Sequence, residues 1–230
     1  MRWRTDIETI AALVRRAANE LLRVPGAAIP GVLAPTIFFL GLTSVFGHLT
    51  LLPGFDSSSY QSFLIPISLM QGAGFTGAAT GVNLARDIEQ GWFDRLLVSP
   101  APRPVLLAGL VISASLRSPI VVVMGMGTLA ALWGCALALK FKSQSAAPLM
   151  QAGMFVLILT TTAYAPLALL TGWLHTVAKY NPATQVVEAA RQGFVGGVTW
   201  GDTWPGLLAL AGLLAVLTAL ALRGMRRTAI

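Results

Sequence analysis

Charge is scarce in this chain. Of its 230 residues only 11% are Asp, Glu, Lys or Arg, while 55% are hydrophobic; ordinary globular chains carry roughly 25% charged residues. A water-soluble fold would need polar surface that this composition does not supply, whereas a bilayer accepts apolar surface on every side. Cysteine is nearly absent too. Cys135 stands alone in an apolar run, which excludes an intramolecular disulfide and leaves a small buried side chain. His48 and His175 are far apart, with no His-Glu-x-x-His spacing, no Gly-x-Ser-x-Gly and no Gly-Lys-Ser/Thr phosphate loop anywhere. No metal site and no catalytic residues are therefore expected, and an intramembrane enzyme is disfavoured because no acid, base and nucleophile set is visible.

The charge that is present is unbalanced, 16 basic residues against 9 acidic for a net +7. In a cytosolic protein this would suggest nucleic acid. Here the charges sit in short stretches between long apolar runs, so they read as topological signals and no nucleic-acid partner is expected.

Residues 5–23 carry Ile7, Ile10, Val14, Ala17 or Ala18, and Leu21 on one helical face, with Glu8, Arg15, Arg16, Asn19 and Glu20 opposite. Thr5 and Glu8 have the form of a capping box, which starts the helix at Thr5. Such a stripe suits a helix along the cytoplasmic membrane surface, with Arg2, Trp3 and Arg4 among the headgroups; packing on other protein helices is the alternative. A cleavable signal peptide is not expected, because this helix intervenes before the first apolar run.

Membrane spans are expected near 27–51, punctuated by Pro30 and Pro35 just after Pro25, and near 63–82, where Gly72, Gly74, Gly77 and Gly81 invite close helix contact. Residues 52–60 form an outer loop between them. Residues 86–104 return to the cytoplasm. Further spans are expected near 149–170 and 207–222, the last closed by Arg223, Arg226 and Arg227.

The segment 105–139, apolar but for Arg117, is the difficulty. Placing both termini, the Arg86 stretch and the Lys140–Lys142 stretch in the cytoplasm leaves only Lys179 and Arg191 outside, and requires an even number of crossings. Yet this segment is about 35 residues, and two spans with a turn need on the order of 42. It is either a hairpin of short or re-entrant helices, broken near Arg117-Ser118-Pro119 or Gly125-Met126-Gly127, or one long tilted helix that puts the carboxyl terminus outside. The hairpin keeps more basic residues inside and is preferred. Arg117 at membrane depth is a functional candidate by default, with a snorkelling arginine as the structural alternative.

The most specific stretch runs Arg86-Asp-Ile-Glu89-Gln-Gly91-Trp92-Phe-Asp94-Arg95-Leu96-Leu97-Val-Ser99-Pro100. A short amphipathic helix with Leu96 and Leu97 as apolar anchor can dock in a groove on a soluble partner, and Pro100, Pro102 and Pro104 end it abruptly. A solvated cytoplasmic turn is the plainer reading. Downstream stand Tyr164-Ala-Pro-Leu-Ala-Leu-Leu170, then Gly172-Trp173-Leu174, Asn181-Pro182 and Arg191. Trp173, Trp200 and Trp204 would also suit an aromatic belt at the outer surface.

These stretches resemble, in order, the signatures of type 2 ABC exporter permeases, the family of daunorubicin-resistance-type membrane subunits. Glu89, Gly91, Leu96, Leu97, Ser99 and Pro100 match its cytoplasmic motif, with Trp92 in place of the usual Thr; the downstream residues match its Phe-x-Pro-x-x-x-Leu and Pro-Gly-Trp-Leu…Asn-Pro…Arg runs. The resemblance implies one all-α domain over residues 1–230, a polytopic bundle of five to six membrane segments. It makes residues 5–23 the interfacial helix and 86–100 the coupling helix, with Arg86, Glu89, Gly91, Asp94, Arg95, Leu96, Leu97 and Pro100 facing a separate ATP-binding subunit. It makes 105–139 a shortened third and fourth span, lacking about 25 residues by comparison with two spans of about 20, and 172–204 an outer-side element with Trp173, Asn181, Pro182 and Arg191 near the exit. The implied function is the permease subunit of an exporter in a bacterial inner membrane, moving hydrophobic drug, lipid or lipid-linked cargo. It would pair with a second permease copy and bind no cofactor itself, with ATP and Mg on the partner subunit. The shortened middle leaves a non-transporting scaffold derived from the same family as the alternative.

Overall fold

The computed structural model describes residues 2–23, 29–55, 57, 59–98, 101–115 and 121–228. Among them the chain is all-α, without a strand. In chain order the helices are α1 (Arg2–Arg23), α2 (Ile29–Phe46), α3 (Tyr60–Glu89), α4 (Trp92–Leu97), α5 (Arg103–Ser115), α6 (Val121–Phe141), α7 (Ala147–Leu159), α8 (Gly172–Tyr180), α9 (Pro182–Val195) and α10 (Trp200–Thr228). Among the described residues, three helical segments are long and apolar enough to cross a membrane: Gly31–Leu51, Val123–Phe141 and Trp200–Arg227.

α3 is the mast of the bundle. Its 30 residues extend about 45 Å at 1.5 Å per residue, more than the roughly 30 Å hydrocarbon core. It is flanked by protein on several sides, so small and polar residues serve it better than uniform apolarity, and its glycines meet different neighbours. A Cβ on Gly72 would come within 2.9 Å of the Gly31 carbonyl of α2, one on Gly77 within 2.3 Å of the Gly127 carbonyl of α6, and one on Gly81 within 2.2 Å of the Gly134 carbonyl carbon. Small residues let these backbones approach.

The same contacts give directions. Gly77 beside Gly127 and Gly81 beside Gly134 make α3 and α6 parallel; Gly125 against Leu210 and Gly224 against Leu139 make α10 parallel to both. α2 is antiparallel to α3, since Gly31 meets Gly72 and Thr76 while Phe39 and Leu42 pack beside Tyr60, Phe63 and Leu64. One end of the bundle therefore collects the carboxyl ends of α3, α6 and α10. It carries Arg86, Arg95, Arg103, Lys140, Lys142, Arg223, Arg226 and Arg227, while Lys179 and Arg191 lie on α8 and α9. By the bias of Lys and Arg toward cytoplasmic loops, that basic end is the one expected to face the cytoplasm.

Residues 105–139 hold two helices, not one long one. α5 ends at Ser115 and α6 begins at Val121, and Leu106 and Leu107 share a cluster with Leu132, Cys135 and Leu139, so the two lie side by side. The helix runs unbroken through Gly125-Met126-Gly127. The other proposed break, with Arg117, falls in 116–120, outside the described residues. α6 has 21 residues, about 32 Å, enough for a full crossing.

Three other expectations are corrected. α1 begins at Arg2 rather than Thr5, because none of Arg2, Trp3 and Arg4 opposes helix geometry. It also packs on protein, the alternative reading: Leu13, beside the stripe, is buried against α5, where a Cβ on Gly109 would come within 2.5 Å of Leu13 Cδ1, while Ile7 of the stripe stays exposed. The span expected over 149–170 stops as a helix at Leu159. Thr160 and Thr161 turn their hydroxyls back onto the carbonyls of Val156 and Ile158, at 2.9 and 2.6 Å, and Pro166 follows; such back-bonding and a proline both disfavour continuation. The last helix, in contrast, extends well beyond 207–222 at both ends.

Candidate functional site

At the basic end the chain makes an elbow. α3 closes with Gln90 N–H donating to the Arg86 carbonyl and Gly91 N–H to the Ile88 carbonyl, both at 3.0 Å. Gly91 takes φ 68°, ψ 9°, and its missing Cβ would meet nothing within 4 Å. The glycine is there for the left-handed conformation, which stops α3 and redirects the chain into α4. Arg86 and Glu89 thus belong to the last turn of α3, not to a separate helix over 86–100. The anchor of α4 is Phe93, 1% exposed among Leu13, Leu84 and Leu106. Leu96 and Leu97, expected to be the apolar anchor for a partner, are half-buried against the chain's own core, leaving Asp94, Arg95 and Val98 exposed. α4 has no side-chain cap, and Ser99 and Pro100 lie outside the described residues.

Two contacts fix the elbow. The Glu89 carboxylate accepts from Gln144 N–H at 2.8 Å and from its Nε2 at 3.1 Å, joining the end of α3 to the link between α6 and α7. Hydrogen bonding from Ser143 and then Gln144 holds this carboxyl below the usual carboxylate range. On the other flank Arg16 of α1 donates one guanidinium nitrogen to both Asp87 oxygens, at 2.9 and 3.1 Å, and lies 3.7 Å over the Trp92 ring. Trp92, the departure from the family motif, is what Arg16 stacks on. A lysine cannot reproduce this flat stacking with a directed donor. Arg16→Lys is expected to cost about 1 kcal/mol and to speed hydrogen exchange in α1 and α4; exchange as slow as in the parent chain would refute the clamp.

The opposite end holds a second construction. α7 has 13 residues, about 20 Å, so the non-helical chain after it lies at membrane depth. Backbone there must find its partners within the protein. Asn181 accepts from Ala183 N–H at 2.9 Å, capping α9 with Pro182 in its first turn, and its amide donates to the Leu157 and Thr160 carbonyls at 3.3 and 3.2 Å. Arg191 is 6% exposed; its Nη2 donates to the Thr162 carbonyl at 2.7 Å, its Nη1 pairs with Glu188 at 2.7 Å, and its Cζ lies 3.7 Å over Phe63. Thr162 also donates its hydroxyl to Glu188. Tyr60 donates to the Tyr164 carbonyl at 2.9 Å, and Gln71 to the Tyr164 hydroxyl at 2.7 Å.

Of the four residues expected near an outer exit, the structure brings Asn181, Pro182 and Arg191 to this brace, while Trp173 stands apart on α8, exposed like Trp200 and Trp204. Glu188, Thr162, Phe63 and Gln71 were not expected. Glu188 was the readable one, an acid three residues before Arg191 in a stretch with little other charge.

A helical bundle crossing a membrane several times, with its basic residues gathered around a rigid elbow at one end, is the build of a membrane transport subunit. The chain belongs to the ABC-2 type transporter family, whose sequence profile matches residues 8–141, from α1 through the elbow to the end of α6. It is 25% identical to ycf38 of Pyropia yezoensis, named as a transport permease, over 86% of this chain and 77% of the relative. It is 24% identical to the daunorubicin resistance ABC transporter permease protein DrrB1 of Streptomyces coeruleorubidus, over 90% of this chain and 82% of the relative.

Proposed function

We propose that this chain is the permease subunit of an exporter, carrying hydrophobic drug, lipid or lipid-linked cargo outward across a bacterial inner membrane with ATP hydrolysed on a separate subunit. A second permease copy completes the pathway, and ATP and Mg stay with the partner. The observation that carries this reading is the elbow. α4 is keyed into the core by Phe93 and braced by Arg16 and Glu89, yet turns Asp94, Arg95 and Val98 outward. A lever must be rigid toward the bundle and free toward its driver, so that closure of soluble domains moves the membrane helices. The alternative is a non-transporting scaffold derived from the same family; the 21-residue α6 in the fourth-span position supports the exporter reading.

The test is co-expression with the cognate ATP-binding subunit. Exchanging the exposed charges, Asp94→Arg with Arg95→Glu, is expected to reduce co-purification of that subunit at least tenfold while the permease keeps its thermal stability in detergent. Glu89→Ala should spare membrane insertion and lower substrate-stimulated ATPase activity. Undiminished capture and coupling in these variants would remove the elbow from the interface.

A further inference from the structure

Away from the elbow and the brace, a lateral groove of about 320 Å³ opens between α5, α6 and α10. Leu107 and Val111 line it from α5, Leu132 from α6, and Leu214, Thr218 and Leu222 from α10. From Leu222 to Leu214 it rises about 12 Å along the helix axis, starting at the basic end, which is within the depth of one leaflet of a roughly 30 Å hydrocarbon core.

The helical registers say what stands at its mouth. Positions 214, 218 and 222 recur at four-residue spacing on α10, and the next position toward the basic end is Arg226; 111 and 107 recur on α5, and the next is Arg103. Each arginine therefore continues an apolar stripe by one turn. Neither has a hydrogen-bond or ion-pair partner among the described residues, whereas Arg16 and Arg191 are both paired. An apolar slot one leaflet deep, topped by two uncommitted guanidinium groups, matches an amphiphile with a hydrocarbon tail and an anionic head. Basic pockets between helices on the cytoplasmic side favour such headgroups, and guanidinium is well suited to phosphate.

We propose that this groove holds an anionic phospholipid of the cytoplasmic leaflet, one acyl chain along α10 and its phosphate between Arg103 and Arg226. The site requires that the basic end face that leaflet but does not depend on the exporter reading, so the two fail separately.

The full chain, purified in detergent, is titrated with dioleoylphosphatidylglycerol, with dioleoylphosphatidylcholine and with inorganic phosphate, following retained lipid by native mass spectrometry and stability by thermal denaturation. Phosphatidylglycerol is expected to bind and raise Tm above the other two. Arg103→Gln and Arg226→Gln should each weaken it about fivefold, and together about 25-fold, leaving phosphatidylcholine unchanged. Ala108→Phe, which fills the groove without altering charge, should abolish the bound phosphatidylglycerol. If that variant does not fold, the two glutamine variants decide alone, since both arginines lie at the surface end of the groove. Equal binding of the two lipids, undiminished phosphatidylglycerol binding in the double variant, or equal stabilisation by inorganic phosphate would overturn the proposal.

Discussion

Gly81→Ala is expected to be among the most damaging single-methyl additions this bundle can suffer, lowering stability by about 3 kcal/mol or more. The added carbon would lie 2.2, 2.3 and 2.5 Å from the carbonyl carbon, Cα and carbonyl oxygen of Gly134. All three are backbone atoms, so no side chain can rotate away. Relief requires α3 and α6 to separate, and α3 also bears α2 and α7 while α6 also bears α10. Overpacking typically costs 1–3 kcal/mol; a contact with no soft partner belongs at or above the top of that range. Gly134→Ala should be milder, since its Cβ would stand 3.0 Å from its nearest neighbours, and Gly41→Ala on exposed α2 should be neutral, with nothing within 4 Å. Thermal denaturation of the three purified variants in one detergent checks the order. A Gly81→Ala protein as stable as Gly41→Ala would mean the α3–α6 seam is not the closest joint of the bundle.

That seam shows what the sequence discloses and what it withholds. The cluster Gly72, Gly74, Gly77 and Gly81 announces close approach, because in a bilayer small residues are how helices gain contact. It does not say that Gly72 serves α2 while Gly77 and Gly81 serve α6, since partners separated by some 50 residues are decided by the assembled bundle. The membrane class and the gathering of basic residues into short stretches follow directly from composition and charge. Helix ends follow less well. The stop after Leu159 depends on Thr160 and Thr161 choosing their own helix carbonyls, a local competition that an apolar run conceals. At the elbow, Gly91 was readable as a turn residue, but the Leu96–Leu97 pair drew attention as the anchor because it is the apolar doublet. Phe93 has a different role, keying α4 into the chain's own core just past the αL turn at Gly91. The reach of Arg16 across 71 residues to Asp87 left no mark beyond an arginine on the polar face of α1 and a tryptophan where the family motif has threonine.

The second large effect is expected at the brace, and its sign pattern distinguishes a paired buried cation from an ornamental one. Arg191 retains 7% side-chain exposure and Glu188 41%. Removing the carboxylate by Glu188→Ala strands an arginine that cannot shed its proton, leaving it the Thr162 carbonyl, a long contact to the Ala163 carbonyl and the Phe63 face, with Nε already without a partner among the described residues. Breaking a buried pair from that side costs about 3–5 kcal/mol. Arg191→Met should cost less, about 1–3 kcal/mol, because what remains is an unpaired Thr162 carbonyl and a carboxylate able to turn toward water. The double variant should recover most of the Glu188→Ala loss, since no stranded charge is left and a methionine can fill the space beside Phe63. Unfolding in a detergent titration supplies the three values. If Arg191→Met proves the costlier single change, or if the two losses simply add, then Glu188 does not neutralise Arg191. The backbone after α7 would in that case be held by Asn181, Tyr60 and Gln71, and the brace would be a hydrogen-bonded seam without an ionic centre.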